Sequence, residues 1–266
     1  MIQTYQAIMP NGPAHREMRE DRMNKPKDYR PLLGTANAKT IKGEELGYTT
    51  GILYLAPANE AGIGNLCPMA SAGCRNACLF TAGRGRMAPV RDARIEKTLF
   101  WHRNREAFMA SLIFDIESLV KSCRRTGQIP AIRLNGTSDI MWEKQKFQGN
   151  TLFDLFPDIQ FYDYTKIWTR FLGRLPANYH LTFSRSESND EKVEWVMSNC
   201  PDVNIAAVFS EDNFPATYKG RKVIDADLHD LRFLDHKGVI CGLKAKGDGK
   251  KDKSGFVINP FISKGA

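Results

Sequence analysis

The sequence predicts an α/β protein, a full or partial parallel (β/α) barrel, on three observations. Seven short apolar runs rich in Val, Ile, Phe and Tyr alternate with helix-compatible or turn-rich stretches, the pattern of parallel strands joined by right-handed crossovers. The chain has 266 residues, 42% of them apolar, and a single barrel of about 200–250 residues would use nearly all of it. Polar residues stand immediately past each run, where a parallel barrel gathers its site along one rim. An open doubly wound sheet is the alternative arrangement of the same elements.

Each element has its own justification. Residues 1–47 hold polar, Gly and Pro positions without a sustained period and read as an irregular N-terminal arm. The first apolar run, 51–55, ends at Ala56-Pro57 and leads into a loop with three cysteines. Residues 89–124 read as one long helical stretch. In its second half Phe108, Leu112, Ile113, Ile116, Leu119 and Val120 recur at spacings of three and four, the mark of one buried face. The remaining runs are 131–134, 159–164, 179–183, 203–209, 223–225 and 239–243. Asn150, and Ser188 or Asn189, supply starts for the short helices between them. Residues 48–247 therefore form the barrel-like domain, and 248–266 a basic C-terminal tail.

Mean hydropathy of -0.40 with 26% charged residues excludes an integral membrane protein. No stretch approaches the ~20 consecutive apolar residues of a spanning helix. Met1 to Asp28 shows no basic-then-apolar signal, so a cytoplasmic location is expected. The net charge of +8 is unevenly spread. Between Arg75 and Arg105 eight basic residues face two acids, and Lys244, Lys246, Lys250, Lys251 and Lys253 form a second patch. Such patches suit an anionic partner, a phosphate-bearing small molecule or nucleic acid. A merely solubilising basic surface is the plainer alternative.

In a reducing compartment the six cysteines are read by spacing. Cys123, Cys200 and Cys241 are scattered, as small core residues are. Cys67, Cys74 and Cys78 form a C-x6-C-x3-C loop with Gly and small residues in its first gap. The C-x3-C pair places two sulfurs one helical turn apart. Three thiolates suit a [4Fe–4S] cluster with one iron left open. Zinc, with His102 as fourth ligand, and structural or redox thiols are the other readings.

Several segments together carry a resemblance: the cysteine loop with Ala82-Gly83-Arg84-Gly85, then Arg133 to Asp139, Tyr162 to Lys166, and Gly242 to Gly247. On these the chain, from about Tyr48 to Gly247, resembles the bacteriophage "gene product 88" family. That implies a phage origin, and the cytoplasm of the bacterial host, but no particular reaction. More distantly, the placement of the cysteine loop resembles radical S-adenosylmethionine (SAM) enzymes, which carry such a loop after the first strand of a partial (β/α)6 barrel. Their usual spacing is C-x3-C-x2-C, from which this chain departs.

The second resemblance implies SAM at the open iron, Phe80 against its adenine, and Asp139 accepting from its amino group. It implies ribose or carboxylate contacts from Ser184 and Arg185. Lys166 and Lys244 then face an anionic substrate, a nucleotide or nucleic acid, with Arg84 and Arg86 in a basic turn facing phosphate. Asp139 reads equally well as a helix N-cap before residues 140–142, and Arg185 as a surface residue or a partner of Glu187. The rival function is a non-enzymatic iron–sulfur protein that binds nucleic acid in phage replication or recombination. A third reading gives Asp225, Asp227, His229, Asp230 and Asp235 a divalent metal. Trp101, Trp142, Trp168 and Trp195 are expected in the core.

Overall fold

The computed structural model describes residues 24–35, 38–210 and 214–260. Among them are ten strands and six α-helices. In chain order these are β1 (Leu33–Gly34), α1 (Ala38–Glu44), β2 (Tyr48–Leu53), α2 (Ala72–Asn76), α3 (Ala88–Arg103), α4 (Arg105–Thr126) and β3 (Ile129–Arg133). There follow α5 (Leu152–Leu155), β4 (Gln160–Thr165), β5 (Tyr179–Ser184), α6 (Asp190–Asn199), β6 (Ile205–Phe209), β7 (Thr217–Tyr218), β8 (Arg221–Asp225), β9 (Ile240–Lys244) and β10 (Val257–Ile258).

All seven apolar runs are strands of one sheet, and they are mutually parallel. The order is β1-β2-β3-β4-β5-β6-β9-β8-β7, with β1 and β7 antiparallel at the edges. β2 to β6 lie side by side in chain order, whereas β9 takes the place beside β6 and pushes β8 outward. β10 also pairs with β6. β5 meets β6 only at Ile205 and Ala206, and Val257 and Ile258 take up the register at Val208 and Phe209. The last strand thus enters the gap where β5 and β6 part, so the expected basic tail is in part a sheet strand.

The sheet has two covered faces. Leu53, Ile132, Phe161 and Leu181 share a buried cluster with Phe108, Leu112, Ile116 and Leu119 of α4. Phe183, Ile205 and Ile240 pack with Val193 and Val196 of α6. Gly51 permits the close approach of α4, since a Cβ there would stand 2.9 Å from Leu119. On the opposite face Ala131 and Tyr162 meet Leu231 and Phe233, and Ala206 and Cys241 meet Ala226. The segment after β8 therefore lies across the inner surface of the sheet.

The single long helix expected over 89–124 is two helices. Asn104 leaves helical geometry (φ −144°), and its side chain accepts from the Ala107 N–H, capping α4. The expected arm holds β1 and α1 within its described part, and residues 1–23 lie outside the described residues. Trp101 and Trp142 are buried and in contact, while Trp168 and Trp195 meet edge to face. No helix among the described residues is long and apolar enough to cross a membrane.

Candidate functional site

A cavity of about 340 Å³ opens at the C-terminal ends of the parallel strands. Its walls come from Tyr54 past β2, Arg133 and Asn135 at β3, Tyr164 to Lys166 at β4, Ser184 at β5, Val208 of β6 and Lys244 of β9. This is the rim at which the polar residues past each run were expected to meet. Cys67, Cys74 and Cys78 line the same cavity, and all three are free thiols.

The cysteine loop is held from several sides. Ser71 caps α2 by accepting from the Cys74 N–H, and its hydroxyl donates to Glu187 at 2.7 Å. The other Glu187 oxygen accepts from the Gly73 N–H at 2.8 Å. Gly73 has no room for a side chain, because a Cβ would collide with Ser254 and Phe256. Asp139 N–H donates to the Leu66 carbonyl, and the Cys67 thiol to that of Thr137. Burial pushes the Cys67 thiol up to about 12, and it raises Cys78 as well, with neighbouring thiols adding to both shifts. These thiols are therefore protonated at neutral pH until something binds their thiolates. Among the described residues no three His, Cys, Asp or Glu side chains converge on a point that would hold a single metal ion.

Asp139 does not cap a helix. The short turn that follows begins only at Trp142, and its cap position is Met141. Instead the buried carboxylate accepts from the Thr165 hydroxyl and the Lys166 N–H, each at 2.8 Å, and pairs with Arg170. Burial raises its pKa, against the lowering effect of these donors. Arg170 is fully enclosed and also holds Glu143 through two nitrogens and the Tyr179 hydroxyl through one. Tyr179 in turn donates to Asp163, which also accepts from the Asn135 N–H and is pushed up to about 7 by burial. This network ties β4, the start of β5 and the segment past β3 together, and meets the cavity at Asn135, Asp139 and Thr165.

Arg185 pairs not with Glu187 but with Asp190, and its Nη1 donates to the carbonyls of Gly255 and Phe256, the latter at 3.0 Å. It is the clamp that seats β10 beside β6. Ser184 lines the cavity, and its carbonyl accepts from Asn189. Phe80 is buried on the cavity wall with Arg91 and Arg94 over its ring. Lys166 reaches over Phe256 and has no carboxylate within ion-pair distance among the described residues. The Lys244 N–H donates to Asp227. Arg84 and Arg86 are exposed and stand outside the cavity lining.

The acids past β8 do not gather around a metal. Asp227 holds Lys246, Asp230 holds Arg133 at 2.7 Å, and Asp235 holds Arg232. His102 packs against Gly64 at the start of the cysteine loop, and it joins no metal-holding group. The Gly247–Lys251 turn packs on the Leu79–Thr81 turn, and of the two basic stretches Arg75, Lys244 and Lys246 line the cavity. Arg170, Glu143 and Tyr179 are site-building residues that the sequence did not single out. Asp163 and Glu187 stood in it only as members of the polar stretches past the third and fourth runs.

Fold and site define an α/β protein with a cavity at the C-terminal edge of a parallel sheet, beside a three-cysteine loop. Within that class, the family model described as gene product 88 matches residues 31–260, and the chain belongs to the gene product 88 family. No curated protein and no solved structure matches it.

Proposed function

We propose that this protein holds a [4Fe–4S] cluster through Cys67, Cys74 and Cys78 and uses it in SAM-dependent radical chemistry on an anionic substrate. The observation that carries the reading is the presence of three free thiols on one cavity at the C-terminal ends of the parallel strands. A cluster distributes its thiolates over separate irons, so the thiols need to face one cavity rather than meet at one point. Ala70 and Ala77 line the cavity with small side chains that leave room beside the sulfurs. Strands β2 to β6 lie side by side in chain order. The right-handed crossovers that parallel strands require would put their connections on one face, which favours the barrel-like form over the doubly wound one.

When bound, the cluster supplies an open iron and the electron for reductive cleavage of SAM. The residues of this chain do the rest. Lys166, with no carboxylate in ion-pair distance among the described residues, holds an anionic group at the cavity wall. Phe80 and Tyr54 offer ring surfaces and exclude water. Asp139 and Arg185 act as struts, because their charged atoms are engaged by Thr165, Lys166 and Arg170 and by the carbonyls of Gly255 and Phe256 just before β10 respectively.

The test uses the full chain purified without oxygen, with iron and sulfide assays and electron paramagnetic resonance of the reduced protein. About four irons per chain and a signal that shifts on adding SAM support the proposal. A chain without iron overturns it. Four irons with no SAM response favour a second reading, a nucleic-acid-binding iron–sulfur protein, whose support is the set of cations Arg75, Lys166, Lys244 and Lys246 along the cavity wall. That reading requires DNA or RNA affinity that falls steeply with salt.

A further inference from the structure

Arg94 of α3 lies behind the cysteine loop, in a place where a cation is expensive to keep. Its guanidinium is stacked on Tyr54 at 4.8 Å and on Phe80 at 5.6 Å. The Gly85 turn closes over it, with Nη1 3.4 Å from where a Cβ on Gly85 would stand. Nε and Nη1 are buried and have no hydrogen-bond partner among the described residues. No carboxylate pairs with this side chain there, although Asp92 and Glu96 are its neighbours on the same helix. Two ring faces do not replace the hydrogen bonds a guanidinium loses on leaving water, and buried donors of this kind are rare in proteins. What stands in front of Arg94 is Phe80 and, two residues earlier, Cys78, close enough for its charge to be felt. Arg94 is half-buried, and the described residues offer neither an acid nor a hydrogen bond to Nε and Nη1 to offset its charge beside the thiol wall of the cavity.

We infer that Arg94 is the counter-cation of the anionic group bound by Cys67, Cys74 and Cys78, and that it sets how readily that group accepts an electron. This rests on the cluster reading above. Three thiolates leave a four-iron cluster anionic, and one-electron reduction adds another negative charge. A fixed cation beside Cys78 favours the reduced form over the oxidised one. Arg94 is outside the cavity lining, so it acts through charge and not by touching substrate.

Arg94→Met keeps the length and removes the charge, while Arg94→Lys keeps the charge. Both are compared with the unsubstituted chain, loaded anaerobically and titrated with dithionite against redox dyes while the resonance signal is followed. For Arg94→Met the expected result is a reduction equilibrium about tenfold less favourable, a shift of about 59 mV to lower potential. Arg94→Lys stays within a few-fold of the parent. The metal-free proteins give a second readout. Removing a half-buried charge with two unpaired donors raises the thermal midpoint of metal-free Arg94→Met, whereas loss of a structural residue lowers it.

Equal potentials in Arg94→Met and parent overturn the inference, as does a lowered midpoint of metal-free Arg94→Met. Iron bound by Arg94→Lys but not by Arg94→Met supports it, because the charge is then needed to hold the group at all. If the parent itself binds no iron, the cluster reading has failed first, and that result is distinct from parent and variant loading alike with unchanged potential. Should Arg94→Met not fold, Arg94→Gln is put through the same titration and the same melt.

Discussion

Replacing Arg170 with Met should be among the most damaging single changes in this chain. The guanidinium is fully enclosed and makes a two-pronged contact with Glu143 at 3.0 and 2.6 Å, a third with Tyr179 at 3.0 Å and a fourth with Asp139 at 3.4 Å. The side chains of Glu143 and Asp139 are only 13% and 10% exposed, so neither is rescued by water. Taking one partner from a buried ionic group leaves the other charges uncompensated and costs about 3–5 kcal/mol. For a chain of this size each kcal/mol moves the thermal midpoint by roughly 2–4 °C, so a fall of about 6–20 °C is expected. Urea unfolding should show the same loss as a lower midpoint with an unchanged slope. Glu143→Gln completes a double-mutant cycle, and a coupling energy above about 1 kcal/mol is expected for groups in such contact. A loss below about 1 kcal/mol, or strictly additive effects, would refute the claim that this arginine organises the buried network beside the cavity.

Other outcomes can be stated briefly. Asp163, pushed up to about 7 from 3.8, favours its protonated form when folded, so its contribution is fully present below about 3.8 and is lost as pH rises through about 7. That contribution is on the order of 4 kcal/mol. His180, held down at about 4 from 6.5 by burial, acts in the opposite sense, and its contribution is lost as pH falls from 6.5 towards 4. Asp163→Asn should therefore turn a flat stability profile between pH 4 and 7 into one that falls with acid, as read by urea midpoints. Arg185→Met releases the carbonyls of Gly255 and Phe256, and exchange at the Ser210 amide, bonded to Ile258, should become faster while the α4 amides stay protected. Asn104→Ala removes the α4 cap and should cost about 1 kcal/mol in urea unfolding. Serine at Cys67, Cys74 or Cys78 should abolish iron loading, whereas Cys123→Ser and Cys200→Ser should load like the parent.

The parallel strands were legible because strands covered on both faces are written as apolar runs, and each run from 51–55 to 239–243 became one. The α4 face was legible for a similar reason, since Phe108, Leu112, Ile116 and Leu119 are all buried. The place of β9 between β6 and β8 was not, because strand order depends on which crossover packs where and leaves no local mark. Two residues of β10 are too few to show a period. The break at Asn104 hid inside a run of helix formers, and its trace was one capping residue. In the site, the cysteines were visible through their spacing. Arg170 in Trp168-Thr169-Arg170 looks like any surface arginine, and its buried role is written in Glu143 and Asp139, about thirty residues away. Asp139 and Arg185 were noticed as charges, but their partners assign them to holding backbone and loop in place.

The grip of Glu187 on Ser71 and Gly73 reaches across 116 and 114 residues of chain. A peptide spanning 65–80 therefore carries all three sulfurs without the acid that shapes their backbone, and the loop cannot be grafted elsewhere as a self-contained binding module. The same long reach makes thiol exposure a reporter of the whole fold. The rise in Cys74 alkylation with increasing urea should track global unfolding, and anything the thiols bind becomes a thermodynamic fastener between β2 and β5.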